Sequence, residues 1–301
     1  MRRSNWLFHS NDSPTKGLSA LLEAIKVPGD TLADIDAALQ ARFFPKTAAG
    51  TNVERWQLPP VDVGGCSLED FRCHLANIEY WNATKPTMQW YVYGAVPGAA
   101  AVRVVARMND LITAWDQGVR WEETLLFGGE RPLDEKIDGL AKLQEAFAPI
   151  AAFDASQYSR LGDELPKTEY GLMRLCWDAL CEVGRVPVDL SLKQTTFVNA
   201  PMKPGKTPDA PKQRPQTEDP LIEWLANDDP EPGSMLVSCG TPYATSMSIA
   251  FESVLGRVGF SEIDFFGHGT PETLGPEVIM REIAGAVHRY AELRRKQLAS
   301  A

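Results

Sequence analysis

The stretch from Met88 to Lys136 most constrains what this chain can become. Trp90 to Tyr93 is an apolar and aromatic run of the kind that forms a strand buried on both faces. Gly94 and Gly98 follow and suit a tight turn. From Ala101 the apolar residues Val104, Met108, Leu111, Ile112 and Trp115 recur at helical spacing, with Arg103 and Arg107 assigned to the other side. Gly118 closes that helix, and Thr124 to Phe127 is a second apolar run, stopped by Gly128 and Gly129. Two buried strands joined by a helix make a βαβ unit, whose crossover is right-handed almost without exception. Both glycine turns then fall at the carboxyl-end edge of one sheet, where open α/β folds hold their ligands.

The remainder extends this pattern. Residues 186–190, 235–239 and 263–266 read as third, fourth and fifth strands, and helical periods cover 134–147, Glu169 to Val183, 217–225, 247–254 and 277–298. The expected fold is a three-layer, Rossmann-like α/β domain with a mainly parallel sheet of about five strands, spanning 86–301. Residues 1–85 read as a helical N-terminal extension packed on that core. Its helices start at about Ser13-Pro14, at Asp30 or Thr31, and at the capping box Ser67-Leu68-Glu69-Asp70. His9 to Asp12 read as a capping loop, and residues 47–65 and 155–165 as connections.

Charge and cysteine usage exclude several classes. A formal net charge of −10 argues against a broad basic face for nucleic acid. Five cysteines without a CxxC pair or Cys/His ligand spacing suggest neither a disulfide framework nor a zinc site, and Cys176 and Cys239 sit in apolar runs. No apolar run is long enough to span a bilayer, and a cytoplasmic protein is expected; an effector exported by a non-classical route has the same composition.

Several residues could carry chemistry. Gly128-Gly129 with Arg131 behind it joins turn N–H groups to a guanidinium, a usual means of holding phosphate or carboxylate. Thr168 caps a helix that opens on Glu169, and Thr217 one that opens on Glu218-Asp219. Gly240-Thr241-Pro242-Tyr243 follows the fourth strand, and His268 ends the fifth. Glu169, Asp219 and His268 are the catalytic candidates. Gly94, Arg107, Gly128, Gly129, Arg131, Thr217, Thr241 and Tyr243 are the candidates for holding a small anionic ligand. Each has an ordinary reading too: Arg107 as a solvated cation beside Asp110, the acids as first-turn charges complementing helix dipoles, and His268 as a polar turn residue. Carboxylates at the rim suit ribose hydroxyls, an amine or a divalent ion, and spacing alone chooses no cofactor or metal. Residues 191–216 hold five prolines, four lysines and one arginine against a single aspartate. Such a loop reads as a lid carrying Lys203, Lys206, Lys212 and Arg214, as a surface for a protein partner, or as a solvated insertion without a role.

In this order of features, residues 86 to 270 resemble the family that includes YdcF, SanA and ElyC. The family's helix-borne arginine is matched by Arg107, its serine-glycine-glycine turn by Phe127-Gly128-Gly129, its Ser/Thr-Glu-Ala helix start by Thr168-Glu169, and its Asn-Thr-x-Glu-Asn segment by Gln216-Thr217-Glu218-Asp219. Phe127 replaces the serine, Asp219 stands where Glu or Asn is usual, and Ser238 to Tyr243 lacks the family's strand-end histidine. The resemblance implies a Rossmann-like fold and a nucleotide-like or S-adenosylmethionine-like ligand. An enzyme or sensor for such a ligand is the reading it favours. The competing one is an interaction or effector protein that uses residues 191–216.

Overall fold

A computed structural model describes residues 6–44, 58, 61, 63–64, 66–151, 165–205, 207 and 210–299. Most of the two expected connections, 47–65 and 155–165, and Lys206 of the expected lid lie outside the described residues. The chain divides into two compact units, one of residues 1–84, 240–250 and 268–301, the other of residues 85–239 and 251–267.

The second unit holds one sheet of five parallel strands, the α/β architecture expected. The strands are β1 (Trp90–Pro97), β2 (Arg120–Gly129), β3 (Gln194–Ala200), β4 (Met235–Ser238) and β5 (Ile263–Phe266), in the order β3-β2-β1-β4-β5. Helix α4 (Ala101–Asp116) connects β1 to β2. Between β2 and β3 come α5 (Glu135–Asp138), α6 (Leu140–Phe147), α7 (Glu169–Glu182) and α8 (Val188–Ser191), and α9 (Glu218–Asp228) returns to β4.

Both faces of the sheet are covered, which is why the central strands read as continuous apolar runs. On one face Tyr91, Val96, Trp121 and Leu126 share a core with α4 and α7. On the other, Tyr93 and Phe127 meet Trp224 of α9 edge-on, with centroids 5.2 and 5.8 Å apart. Tyr91 and Tyr93 would normally point the same way. Val92 and Tyr93, however, both donate to Ser234 O, each at 3.0 Å, which is a β-bulge that shifts the alternation by one residue.

Three sequence readings change here. Gly94 is not a turn residue: it lies inside β1, where a Cβ would stand 2.6 Å from the Trp121 ring. The third strand is Gln194–Ala200, not 186–190. Val188–Ser191 is a short helix, and the Thr-rich β3 sits at the sheet edge, where half-exposed polar residues are tolerated. The helix expected over 134–147 breaks at Gly139, whose extended backbone ends α5 and N-caps α6.

The first unit is helical. The expected N-terminal helices are present as α1 (Lys16–Ala24), α2 (Leu32–Phe43) and α3 (Leu68–Asn77). Thr15, Thr31 and Ser67 accept the N–H groups of Leu18, Asp34 and Asp70 respectively, each satisfying a donor that a helix start leaves open. These helices share a core with the C-terminal helix α11 (Pro276–Ala299), so the unit joins the two ends of the chain rather than forming an N-terminal extension alone. Phe8 stacks on Tyr290 at 5.2 Å, Arg294 donates to Asp12 at 2.7 Å, and His288 lies 3.1 Å from Asp36. The division between units falls within helix α10 (Ala244–Leu255), after Ala250. Among the described residues no helix is long and apolar enough to cross a membrane.

Candidate functional site

The carboxyl ends of β1 and β2 gather a charged cluster on the face covered by α4 and α7. Helix α4 starts directly after the Gly98-Ala99-Ala100 turn, and Arg107 on its second turn is only 3% exposed. Its Nη1 donates back to Pro97 O at 2.9 Å and to Gly98 O at 3.0 Å, carbonyls at the point where β1 ends. The expected solvated helix face is therefore wrong for Arg107, which shapes the turn from within. Gly98 is required there, because a Cβ would stand 2.7 Å from the Glu169 carboxyl carbon and 2.9 Å from Phe127 O.

Past the end of β2 the chain runs beside the start of α7. Glu169 N donates to Arg131 O at 3.0 Å, Leu133 N donates to Lys167 O at 3.1 Å, and Pro132 bridges Thr168. Thr168 accepts from Gly171 N, the cap expected of it. This pairing sets Glu169 beside Arg131. Gly128 and Gly129 serve close packing: a Cβ on Gly128 would be 2.9 Å from Tyr170 Cα, and one on Gly129 would be 2.6 Å from Pro215 Cγ.

Arg131 is the centre of the cluster. Its Nε donates to Glu169 Oε1 at 3.2 Å, its Nη1 to Asp138 Oδ2 at 3.0 Å, and its Nη2 to Ala99 O at 3.3 Å. Asp138 is fully buried and also accepts from Ala101 N at 3.2 Å and Asp134 N at 3.1 Å. Ala100, the N-cap of α4, has no side chain to offer, so Asp138 supplies the negative charge that the helix N-terminus favours. An external anion at this turn would have to displace a carboxylate.

The partners respond unequally to burial. Burial pushes the Glu169 carboxyl above its ordinary range, Arg131 draws it back only in part, and Asp138 adds to the rise. For Arg131, burial alone would favour loss of the proton, but Glu169 and Asp138 outweigh it and hold the guanidinium charged. Beside the cluster lies a cavity of about 320 Å³, lined by Leu133, Asp134, Glu135, Asp138, Gly139, Leu165, Pro166 and Lys167. Asp138 belongs to both. Among the described residues no group of three or more His, Cys, Asp or Glu side chains is placed to hold a metal ion.

The structure thus brings Arg107, Arg131 and Glu169 together over Gly98 and Gly128. Thr217 and Asp219 lie at the start of α9, which covers the opposite face. There Thr217 makes no side-chain cap; Asp219 instead accepts Gln216 N at 2.6 Å and pairs with Lys203 at 2.8 Å. Thr241, Tyr243 and His268 belong to the other unit. Within that unit Thr241 N donates to His268 O at 3.1 Å, and Thr270 Oγ1 donates to Tyr80 O at 2.6 Å and lies 3.2 Å from Thr241 Oγ1, so the buried threonines join three loops. The segment expected as a lid is held at its base, where Lys203 and Gln213 exchange two backbone hydrogen bonds of 2.9 Å and Pro215 sits on Gly129. Asp138 was missed by sequence reasoning. Its one local signal is Gly139, a helix-breaking residue inside the apolar period of 137–147.

Comparison of the chain with family models, curated proteins and solved structures returns no match.

Proposed function

We propose that the chain binds a small nucleotide-like or S-adenosylmethionine-like molecule at the carboxyl-end rim of its sheet, as an enzyme or a sensor of that ligand. The observation that carries this reading is the buried Arg131–Glu169–Asp138 cluster beside a cavity of about 320 Å³. Open α/β sheets hold ligands at this edge. The volume stands at the low end of small-molecule sites, roughly 300–1,000 Å³, and suits a nucleoside-sized group. Asp134 and Glu135 line the cavity with carboxylates that suit ribose hydroxyls or an amine, and Lys167 brings a cation for an anionic group. Glu169, with its raised proton affinity, is the candidate acid or base. The resemblance to the family of YdcF, SanA and ElyC points to the same ligand class.

The test is thermal stabilisation of the full chain by adenosine, its mono-, di- and triphosphates and S-adenosylmethionine. A ligand at 100 times its dissociation constant adds about 2.7 kcal/mol. The stabilisation should be lost in the Glu135→Gln/Lys167→Met double variant. The proposal fails if no compound stabilises the wild type, or if the double variant responds equally.

A further inference from the structure

Strand β3 forms one border of the sheet, and among the described residues no strand pairs with its outer side. Exposed edges are usually protected by lysine, proline or a bulge. Within Gln194–Ala200 there is no charged residue and no proline, although the chain as a whole carries a net charge of −10. Just before the strand, Val188 and Leu192, one helical turn apart, are 75% and 81% exposed.

We propose that β3 is a homodimer interface, in which two copies pair this strand antiparallel about a twofold axis at Phe197. The occupant of the edge is a second copy because the segment is complementary to itself in that register. Within the strand Thr195 falls opposite Asn199, Thr196 opposite Val198, and Phe197 opposite its own copy. An aromatic pair meets at the centre, the kind of cross-strand contact that stabilises a sheet. Gln194–Ala200 holds no charged residue, so pairing two copies of the strand opposes no like charges within it. On an acidic molecule, an uncharged edge is where two copies approach with least repulsion. A twofold interface must be the same patch on both partners, and this register meets that condition. Strand pairing alone buries less than the roughly 1,200–2,000 Å² of a stable interface, and Val188 and Leu192 add apolar surface at each end.

Sedimentation velocity of the full chain, from sub-micromolar to near-millimolar concentration, tests the proposal. The wild type should dimerise. Thr195→Asp/Asn199→Asp sets like charges opposite each other twice and should weaken the dimer about tenfold or more. Thr195→Lys/Asn199→Asp sets opposite charges in the same places and should restore it, with circular dichroism showing that both variants fold. A wild type that stays monomeric overturns the proposal, as does a dimer indifferent to the paired aspartates or one that the Lys/Asp variant fails to restore.

Discussion

Replacing Arg131 with Met keeps most of the side chain's length and removes the cation from between two carboxylates. Arg131 and Glu169 are 12% and 15% exposed at their side chains and Asp138 is 0% exposed, so solvent screens the loss poorly. Removing one member of a buried ion pair costs about 3–5 kcal/mol, because the charge left behind is desolvated and uncompensated. That is a large share of the roughly 5–15 kcal/mol that holds a domain together. The two orphans are not equivalent. Asp138 keeps the N–H groups of Ala101 and Asp134, whereas among the described residues Arg131 is the one side chain hydrogen-bonded to Glu169. Adding Glu169→Gln to Arg131→Met should therefore recover at least about 1 kcal/mol, the cost of a stranded buried charge being relieved. Urea unfolding followed by tryptophan fluorescence measures all three variants. A cost below about 1 kcal/mol for Arg131→Met, or no recovery in the double variant, would refute the reasoning.

The pH dependence of the same site is a second test. Glu169 has a raised folded-state pKa, so the native state holds its proton more tightly than the unfolded chain does. Its contribution to stability is therefore fully present below the ordinary glutamate pKa and is lost as pH rises through the raised value. Wild type minus Glu169→Gln stability should fall with rising pH across that window, and a flat or rising difference would contradict the burial argument. Gly94→Ala should cost about 1–3 kcal/mol by overpacking against Trp121, a buried ring 2.6 Å from the new methyl group, as measured by chemical denaturation. Lys203→Ala should cost no more than about 1 kcal/mol, since the lysine of the Lys203–Asp219 pair is 41% exposed. A larger loss in thermal unfolding would mean that the base of the 201–216 segment helps to hold the fold.

Features set by neighbours three or four residues apart were legible in the sequence. Thr31, Ser67 and Thr168 cap their helices as read, because a cap satisfies N–H groups within its own turn. The apolar runs at β1, β2, β4 and β5 announced buried strands, and parallel βαβ geometry put the ends of β1 and β2 on one rim. Tertiary structure alone decided the rest. Strand β3 hides from periodicity because an edge strand packs less, so Gln194-Thr195-Thr196 needs no apolar alternation. Gly94 and Gly98 look alike in sequence, yet one makes room for Trp121 and the other for Glu169. Arg107 follows a polar spacing but turns inward to two carbonyls ten and nine residues back. Arg131 finds Glu169 38 residues away and Asp138 only seven away, across two helix starts whose approach no local pattern encodes. Caps and core strands are dictated by local hydrogen bonding and hydrophobic period, whereas a buried ion pair exists only where packing has already removed the water around it.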